Sequence, residues 1–338
     1  MKDVGKWFAV VNPHAGSGRT AQEWKKAEAL LSSRGIAYTS SMTDCRRHAT
    51  EIAYTAACEG YRRFLAVGGD GTVHEVLGGL ASAIGDAIRN GEDIRLSDFY
   101  LAVVPIGSGN DWIRTHGIRH DIGHVVDLIE AGSFVPQDIA KVTVLEPAPG
   151  TPGSEGGLPG PFAYMINIAG TGLDAHVCER VNIQKSQGRR SRLIYVNSLV
   201  YNLLHNKPSP VTVQCDGNVV FAGDCLSIAF GIGRYSGGGL RQTPDAIPDD
   251  GLLDYTVIPR ITFSDALRYG PGLFDGTFTK SPLLTVGRCR SVEVRPLSEE
   301  KVPVEVDGEI LGRLPVRIDV LPQKINVLHS FTQDRHQG

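Results

Sequence analysis

The chain has 338 residues, 41% hydrophobic and 21% charged, which is enough for one large domain or two ordinary ones with apolar cores. Its net charge of −3 argues against a general nucleic-acid-binding protein, and no apolar run reaches the ~18 residues that a membrane span needs. Six scattered cysteines without a Cys-x-x-Cys pair, and an N-terminus without a secretory apolar segment, predict a cytoplasmic protein with reduced thiols.

Up to about residue 135, short apolar strands alternate with amphipathic helices. We predict strands at 6–11, 36–41, 63–67 and 100–104. We predict helices near 20–33, 46–59, 72–83 and 121–131. In the first helix, Trp24, Ala27 and Leu31 form one apolar stripe and are expected in the core. This alternation indicates βαβ units, and therefore a parallel sheet with helices on both faces.

From about residue 138 the pattern changes to short β-type segments separated by glycine and proline. They lie at 139–145, 162–168, 211–215, 218–222, 226–232, 253–258, 283–286, 291–295, 302–306 and 316–320. Asp216-Gly217 and Asp307-Gly308 are typical of hairpin turns. We therefore expect a second domain resembling a β-sandwich.

Two segments of this second part stand out. Ten of the fifteen residues at 147–161 are proline or glycine, so we expect a flexible loop between two strands. Residues 191–205 form an apolar helical pattern preceded by basic residues. Either it packs in the core behind a solvated loop, or it docks on anionic lipid.

Residues 68–75 read Gly-Gly-Asp-Gly-Thr-Val-His-Glu, and they follow an apolar strand and open a helix. Glycines allow a tight turn, and the free amides of a helix start bind phosphate. Because Asp70 lies among these amides, a divalent cation between the acid and a phosphate would explain the pattern. The alternative is an ordinary strand-to-helix turn.

Two further strands, within residues 7–18 and 101–111, also run into glycine-rich turns. The carboxyl ends of parallel strands meet at one edge of a sheet, where ligands of such folds bind. Neither the Walker A pattern nor the dinucleotide Gly-x-Gly-x-x-Gly pattern is present in these turns.

The three turns contain Asn12-Pro13-x-x-Gly16-x-Gly18, Gly68-Gly69-Asp70-Gly71-Thr72-x-x-Glu75 and Pro105-x-Gly107-Ser108-Gly109-Asn110-Asp111. In order and spacing they resemble the signatures of the diacylglycerol kinase catalytic-domain family, which includes bacterial soluble lipid kinases, sphingosine kinases and ceramide kinases. The resemblance continues to residue 309 and so covers nearly the whole chain. The Gly-Gly-Asp-Gly turn alone is shared with NAD kinases and phosphofructokinases.

The resemblance implies two domains. Residues 1–137 would form a nucleotide-binding, Rossmann-like α/β domain of the phosphofructokinase and NAD-kinase type, to which 322–338 would return. Residues 138–321 would form a mostly antiparallel, β-sandwich-like domain for the lipid substrate. The implied activity is transfer of the ATP γ-phosphate to a hydroxyl of diacylglycerol or a related lipid, with ATP and Mg²⁺, as in phospholipid biosynthesis. Such an enzyme would associate peripherally with the membrane surface, and a homodimer is compatible with this plan.

The resemblance also assigns nucleotide contacts. Thr72 has an alternative role as a helix N-cap, and Thr43 has an alternative capping role before the next helix. Ser108 stands where family members often carry threonine. The residues expected to hold the nucleotide are Asn12, Gly16, Gly18, Thr43, Gly68, Gly69, Gly71, Thr72, Glu75, Ser108 and Asn110.

The catalytic acids are assigned in the same way, and acids from both domains are expected to act on one triphosphate. Asp70 would hold Mg²⁺, and Asp111 would face the same cleft. Glu309, after the Asp307-Gly308 turn, would be the proton acceptor, with Asp307 supporting the base or the metal network. Asp138 resembles a member of that network. The alternative for residues 307–309 is a plain β-turn.

Residues 244–254 resemble a family motif that binds a structural Mg²⁺, with a carboxylate from Asp250 and carbonyls from Ile247 and Leu252. The alternative is a simple turn. His74-Glu75-Val76 matches sphingosine kinases and weakly favours a sphingoid base as acceptor. The other functions that the sequence leaves open are a ceramide kinase, a soluble-substrate kinase such as an NAD kinase, and a nucleotide-binding regulator without catalysis.

Overall fold

The computed structural model describes residues 5–107, 109–145, 161–186, 197–198, 201–202 and 207–331. The chain forms two compact units. The first contains Met1–Gln137 and Gln323–Gly338, and the second contains Asp138–Pro322.

The first unit is built on a parallel sheet. Its strands are β1 (Trp7–Val11), β2 (Tyr38–Met42), β3 (Arg63–Gly68) and β4 (Tyr100–Pro105), joined by the end of β15 (Val316–Leu328). Their order is β15-β4-β3-β1-β2, and every pair is parallel. All five residues of β1 and the last five of β3 are buried, as expected of strands covered on both faces.

Five helices belong to this unit: α1 (Thr20–Ser33), α2 (His48–Cys58), α3 (Asp70–Arg89), α4 (Asp111–Thr115) and α5 (Ile122–Glu130). In α1, Trp24, Ala27 and Leu31 are buried, which confirms the predicted stripe. The helix α5 begins where the Asp121 side chain accepts a hydrogen bond from the His124 amide, a regular N-cap.

The second unit is mostly antiparallel. Its strands are β5 (Phe134–Val144), which starts in the first unit, β6 (Phe162–Met165), β7 (Ile168–Gly172), β8 (Ser209–Cys215), β9 (Asn218–Gly231), β10 (Leu253–Pro259), β11 (Thr285–Cys289), β12 (Ser291–Pro296), β13 (Pro303–Val306), β14 (Glu309–Arg313) and β15. The main order is β14-β13-β7-β9-β8-β12-β15, and β10 pairs with β9 and β11. Among the described residues, this unit also contains the helices α6 (Leu173–Ser186) and α7 (Phe263–Tyr269). An α/β unit and a mostly antiparallel unit confirm the predicted fold class.

The structure differs from the predicted elements at several points. The segment 162–168 is two strands, β6 and β7, because the amides between them bond the Asp307 side chain. The segments 218–222 and 226–232 form one strand, β9, which passes through Gly223 at a φ of 150°. The helix α6 was not predicted, although Leu173, Val177 and Val181 recur every four residues and are buried.

The glycine- and proline-rich segment 147–161 lies outside the described residues except for Pro161. The predicted helix 191–205 also lies outside them, apart from 197–198 and 201–202. Within the described parts of the chain, no helix combines the length and the apolar character needed to cross a membrane.

Candidate active site

In the first unit, the first glycine-rich turn contacts the other two. The Asn12 side-chain amide lies 3.2 Å from the Thr72 hydroxyl, so the end of β1 is tied to the start of α3. Gly16 has a φ of +56°, and a Cβ at this position would lie 2.3 Å from the Ile106 carbonyl oxygen. Only glycine therefore fits this approach of two backbones.

The second and third turns approach each other just as closely. A Cβ on Gly69 would lie 3.0 Å from the Gly107 Cα, and a Cβ on Gly107 would lie 2.4 Å from the Asn110 Oδ1. At Gly68, a Cβ would lie 2.2 Å from the Thr72 hydroxyl oxygen. The structure thus brings together the three turns that the sequence singled out.

Asp70 lies where these turns meet. Its Oδ2 accepts a hydrogen bond from the Asp111 amide at 3.1 Å, and its Oδ1 accepts one from the Trp112 amide at 3.2 Å. These are the first amides of α4, so the carboxylate stabilises the start of that helix. The sequence placed Asp111 at the same cleft as Asp70 but did not predict this backbone contact, which joins residues 41 positions apart.

The Asp70 and Asp111 carboxylates lie on either side of Gly109. A Cβ on Gly109 would be 3.3 Å from the Asp70 Oδ2 and 3.5 Å from the Asp111 Oδ2. Among the described residues, no three His, Cys, Asp or Glu side chains are grouped to hold a metal. The Asp111 Oδ1 also lies 3.4 Å from the Arg114 Nε, a single contact on one carboxylate oxygen. Two convergent carboxylates fit Mg²⁺, which usually takes one or two carboxylates and completes its shell with phosphate oxygens and water.

Other predicted nucleotide residues have structural contacts as well. The Glu75 carboxylate accepts hydrogen bonds from the Arg47 and Ala49 amides at the start of α2. Asn110 is buried, has a φ of 50°, and donates to the Gly107 carbonyl at 3.0 Å. Both contacts shape the loops, and the nucleotide roles of these two residues stay predictions.

The capping alternatives for two threonines are wrong. The helix α3 begins at Asp70 after Gly69, so Thr72 is not its N-cap. The helix α2 begins at His48 after Arg47, so Thr43 does not cap it. Thr43 is buried, and its amide donates to the Val11 carbonyl at 2.8 Å. Ser108 lies outside the described residues, and Gly18 is exposed with a φ of +85°.

A buried polar network that the sequence did not reveal supports α4. The Gln137 Oε1 accepts a hydrogen bond from the Trp112 indole at 2.9 Å and lies 2.6 Å from the His116 Nε2. The His116 Nδ1 lies 3.4 Å from the His329 Nδ1. Because Trp112 directly follows Asp111, this network fixes the helix that carries the second carboxylate.

In the second unit, the Asp307-Gly308 hairpin turn is held by its own acid. Asp307 has a φ of 51°, and Gly308 has a φ of 87°. The Asp307 carboxylate accepts hydrogen bonds from three successive amides, those of Ile166, Asn167 and Ile168, at 3.0, 2.9 and 3.1 Å. Asp307 therefore positions the turn, and its predicted support for the base is of this indirect kind.

Gly308 is held from both sides. Its amide donates to the Glu305 Oε2 at 2.8 Å, and its carbonyl accepts from the Cys178 thiol at 3.0 Å and from the Asn182 amide at 3.2 Å. The next residue, Glu309, is only partly buried and opens β14. The predicted base thus follows a turn with little freedom to move.

Glu305 is an acid that the sequence did not single out. Burial, followed by the charge of Asp174, raises the pKa of Glu305 well above its ordinary value. A Cβ on Gly170 would lie 2.9 Å from the Asp174 Oδ2 and 3.0 Å from the Glu305 Oε1, so the two carboxyl groups face one another across this glycine. Glu305 is therefore expected to carry a proton at a pH where ordinary glutamates are ionised.

Asp138 lies in the second unit and contacts the loop 244–254. Its Oδ2 accepts a hydrogen bond from the Gly251 amide at 2.6 Å, and its own amide donates to the Pro248 carbonyl at 2.7 Å. Its membership of the catalytic network stays a prediction. Within the same loop, burial raises the pKa of Asp254 to about 6 against the opposing effect of Arg288.

Comparison with known proteins agrees with the motifs. Residues 6–142 match the diacylglycerol kinase catalytic domain, and residues 167–329 match the YegS C-terminal NAD kinase beta sandwich-like domain. A diacylglycerol kinase of Mycobacterium tuberculosis is 26% identical over 327 residues, covering 96% of each chain. A diacylglycerol kinase of Bacillus subtilis is 27% identical over 315 residues, covering 92% of this chain and 93% of the relative.

Among solved structures, a diacylglycerol kinase from Bacillus anthracis superposes with a TM-score of 0.66 at 22% identity, covering 98% of both chains. This likeness extends over both units and shows the same fold. Two family models match in order, and the three signature turns of the first are in contact, so residues 6–142 belong to the diacylglycerol kinase catalytic-domain family and residues 167–329 to the family of YegS-type C-terminal domains.

Proposed function

We propose that this protein is an ATP- and Mg²⁺-dependent kinase that phosphorylates a hydroxyl of diacylglycerol or a closely related lipid. The observation that carries the proposal is the pair of carboxylates, Asp70 and Asp111, that flanks Gly109 where three glycine-rich turns meet. Family membership and relatives named diacylglycerol kinase support the same reaction and the same class of acceptor.

The glycine-rich turns of the first unit would bind the phosphates of ATP. Amides of the glycine-rich turns and of the α3 N-terminus are suited to the ATP phosphates, and the α3 dipole favours negative charge there. The buried Thr72 hydroxyl accepts a hydrogen bond from the Asn12 side chain and would be a further polar group at this helix start. Asp70 and Asp111 would hold Mg²⁺, which neutralises charge on the phosphates and orients the γ-phosphate.

Glu309 is the proposed base. The lipid hydroxyl oxygen forms a bond to the γ-phosphorus while the bond from that phosphorus to the bridging oxygen of ADP breaks. The hydroxyl proton passes to the Glu309 carboxylate and then to water, and ADP leaves. Because the proton is lost late in such a transfer, an ordinary carboxylate is a sufficient acceptor. The rigid Asp307-Gly308 turn would keep this carboxylate in place.

The proposal places the protein in the cytoplasm, acting at the membrane surface where its acceptor is found. The three turns would bind ATP and Mg²⁺ in the same way whether the acceptor is diacylglycerol, ceramide or a sphingoid base. The acceptor therefore has to be measured. The first experiment incubates the protein with γ-labelled ATP, Mg²⁺ and mixed vesicles that contain each of these lipids. We expect label in phosphatidic acid. Labelled ceramide or sphingoid phosphate instead would narrow the acceptor to those lipids.

The same assay with NAD in place of lipid tests the soluble-substrate alternative. We expect no labelled NADP, and labelled NADP without labelled lipid would overturn the proposed function. ATP binding without any labelled product, unchanged by Glu309→Gln, would favour a regulator without catalysis.

A further inference from the structure

The acidic loop 244–254 in the second unit does not fit the structural Mg²⁺ that its sequence resemblance implies. The Asp250 Oδ2 accepts a hydrogen bond from the Arg288 Nη1 at 3.1 Å, and its Oδ1 accepts one from the Leu252 amide at 3.0 Å. A divalent cation on this carboxylate would lie beside a guanidinium and meet like-charge repulsion.

The Arg288 guanidinium binds this acidic loop at three separate points. Besides Asp250, its Nε lies 3.2 Å from the Asp254 Oδ2, and its Nη2 donates to the Asp245 carbonyl at 2.7 Å. It therefore joins two carboxylates and one backbone carbonyl. These are the oxygen types that a hard cation would gather from such a loop. A planar, permanently charged fork suits such a set of acceptors.

The sheet fixes the position of this arginine. Arg288 lies on β11 directly opposite Asp254 on β10, in an antiparallel pair. The side chains of Asp254 and Asp250 retain only 12% and 21% exposure, so the ion pairs are partly removed from water and stronger than surface pairs. On the other side of the loop, the Asp138 carboxylate holds the Gly251 amide.

We infer that the Arg288 guanidinium takes the place of a divalent cation in the acidic loop, so that the second unit folds without a bound metal. The inference is independent of the proposed reaction. Arg288 is then the counter-charge for Asp250 and Asp254.

Thermal unfolding of the nucleotide-free protein tests this inference. We expect the same Tm in excess EDTA and in millimolar MgCl₂ for the wild-type protein. Arg288→Met should lower the Tm by about 4–10 °C in EDTA, because it leaves two partly buried carboxylates without their partner. Adding Mg²⁺ should then raise the Tm of this variant.

The matched control is Arg317→Met, since Arg317 forms an exposed pair with Asp319, with 50% and 40% of the two side chains accessible. Exposed pairs contribute little, so its Tm should stay within about 2 °C of the wild type. If Arg288→Met does not fold, Arg288→Lys keeps the charge and loses the fork, and its Tm should still fall below that of the wild type.

Two outcomes would overturn the inference. One is a Mg²⁺-dependent rise in the wild-type Tm without nucleotide that Asp250→Asn abolishes, because a cation would then bind beside the arginine. The other is an unchanged Tm in Arg288→Met or, where that variant does not fold, in Arg288→Lys. Titration calorimetry of MgCl₂ into the nucleotide-free wild type should show no binding heat that depends on Asp250.

Discussion

The two units differ in what surrounds their buried and half-buried acids. In the first unit, Asp70 accepts from two amides and Asp111 pairs with Arg114, yet both carboxylates also approach Gly109 where three turns meet and where a metal and phosphates are expected. In the second, the Asp307 carboxylate is taken up by three backbone amides and the Asp250 carboxylate by an amide and an arginine. The difference teaches that an acid in a glycine-rich turn gains its role from the partners that the fold brings to it.

Replacing Asp70 in the first unit should affect activity far more than stability. We expect Asp70→Asn to reduce kcat/KM for lipid phosphorylation by about 10³-fold, because it removes a charge that would hold Mg²⁺ on the phosphates. The lost charge at the start of α4 should cost only about 1 kcal/mol of unfolding free energy. Steady-state kinetics and denaturant unfolding measure the two effects.

The control for this variant is Asp93→Asn, because Asp93 is 83% exposed in the same unit. Wild-type activity in Asp70→Asn, with the control also at wild-type level, would remove Asp70 from the proposed reaction.

In the second unit, Asp307→Asn should lower stability more than it lowers activity. One asparagine oxygen cannot serve the amides of residues 166–168 as well as a carboxylate, so we expect a loss of about 1–3 kcal/mol of unfolding free energy. Asp224→Asn, at a 50% exposed side chain of the same unit, should be neutral. Urea unfolding of both variants checks this, and equal stability would show that the three amide bonds contribute little.

The close approach of the turns can be tested without changing any charge. At Gly107 a Cβ would overlap Asn110 and Gly69, so Gly107→Ala should cost about 1–3 kcal/mol and weaken ATP binding. Gly85→Ala is the matched control, because its Cβ would meet only the end of Arg89 at 3.8 Å, inside α3. This control should be up to about 1 kcal/mol more stable than the wild type. A neutral Gly107→Ala would contradict the described packing.

Glu305 should make the unfolding free energy of the second unit depend on pH. Its folded pKa is raised, so the folded state binds more protons than the unfolded one, and stability falls as pH rises from about 4.3 through the folded pKa. Glu305→Gln still accepts from the Gly308 amide and cannot titrate. It should therefore flatten this fall, by about 1.4 kcal/mol for each unit of pKa shift.

This effect is measured by comparing unfolding free energies at pH 5 and at pH 8. The two variants are Glu305→Gln and, as the exposed control, Glu299→Gln. A wild-type pH dependence in Glu305→Gln would show that Glu305 titrates normally.

The sequence predicted those features that depend on local patterns. Alternating strands and helices identified the parallel sheet, and glycine spacing identified the turns around Asp70 that the structure brings together. The missed features depend on partners distant in the chain. Asp307 bonds amides about 140 residues earlier, and Arg288 reaches back to Asp250. Neither partner leaves a periodic signal, because a single side chain can meet any segment that the topology places beside it.

The most direct test of the central claim is to measure Mg·ATP affinity and lipid phosphorylation together in Glu309→Gln, with Glu299→Gln as the control. We expect wild-type Mg·ATP affinity in both variants, and a kcat reduced by about 10²–10⁴-fold in Glu309→Gln alone, because only the proton acceptor is lost. Phosphorylation at the wild-type rate by Glu309→Gln would contradict the assignment of Glu309 as the base.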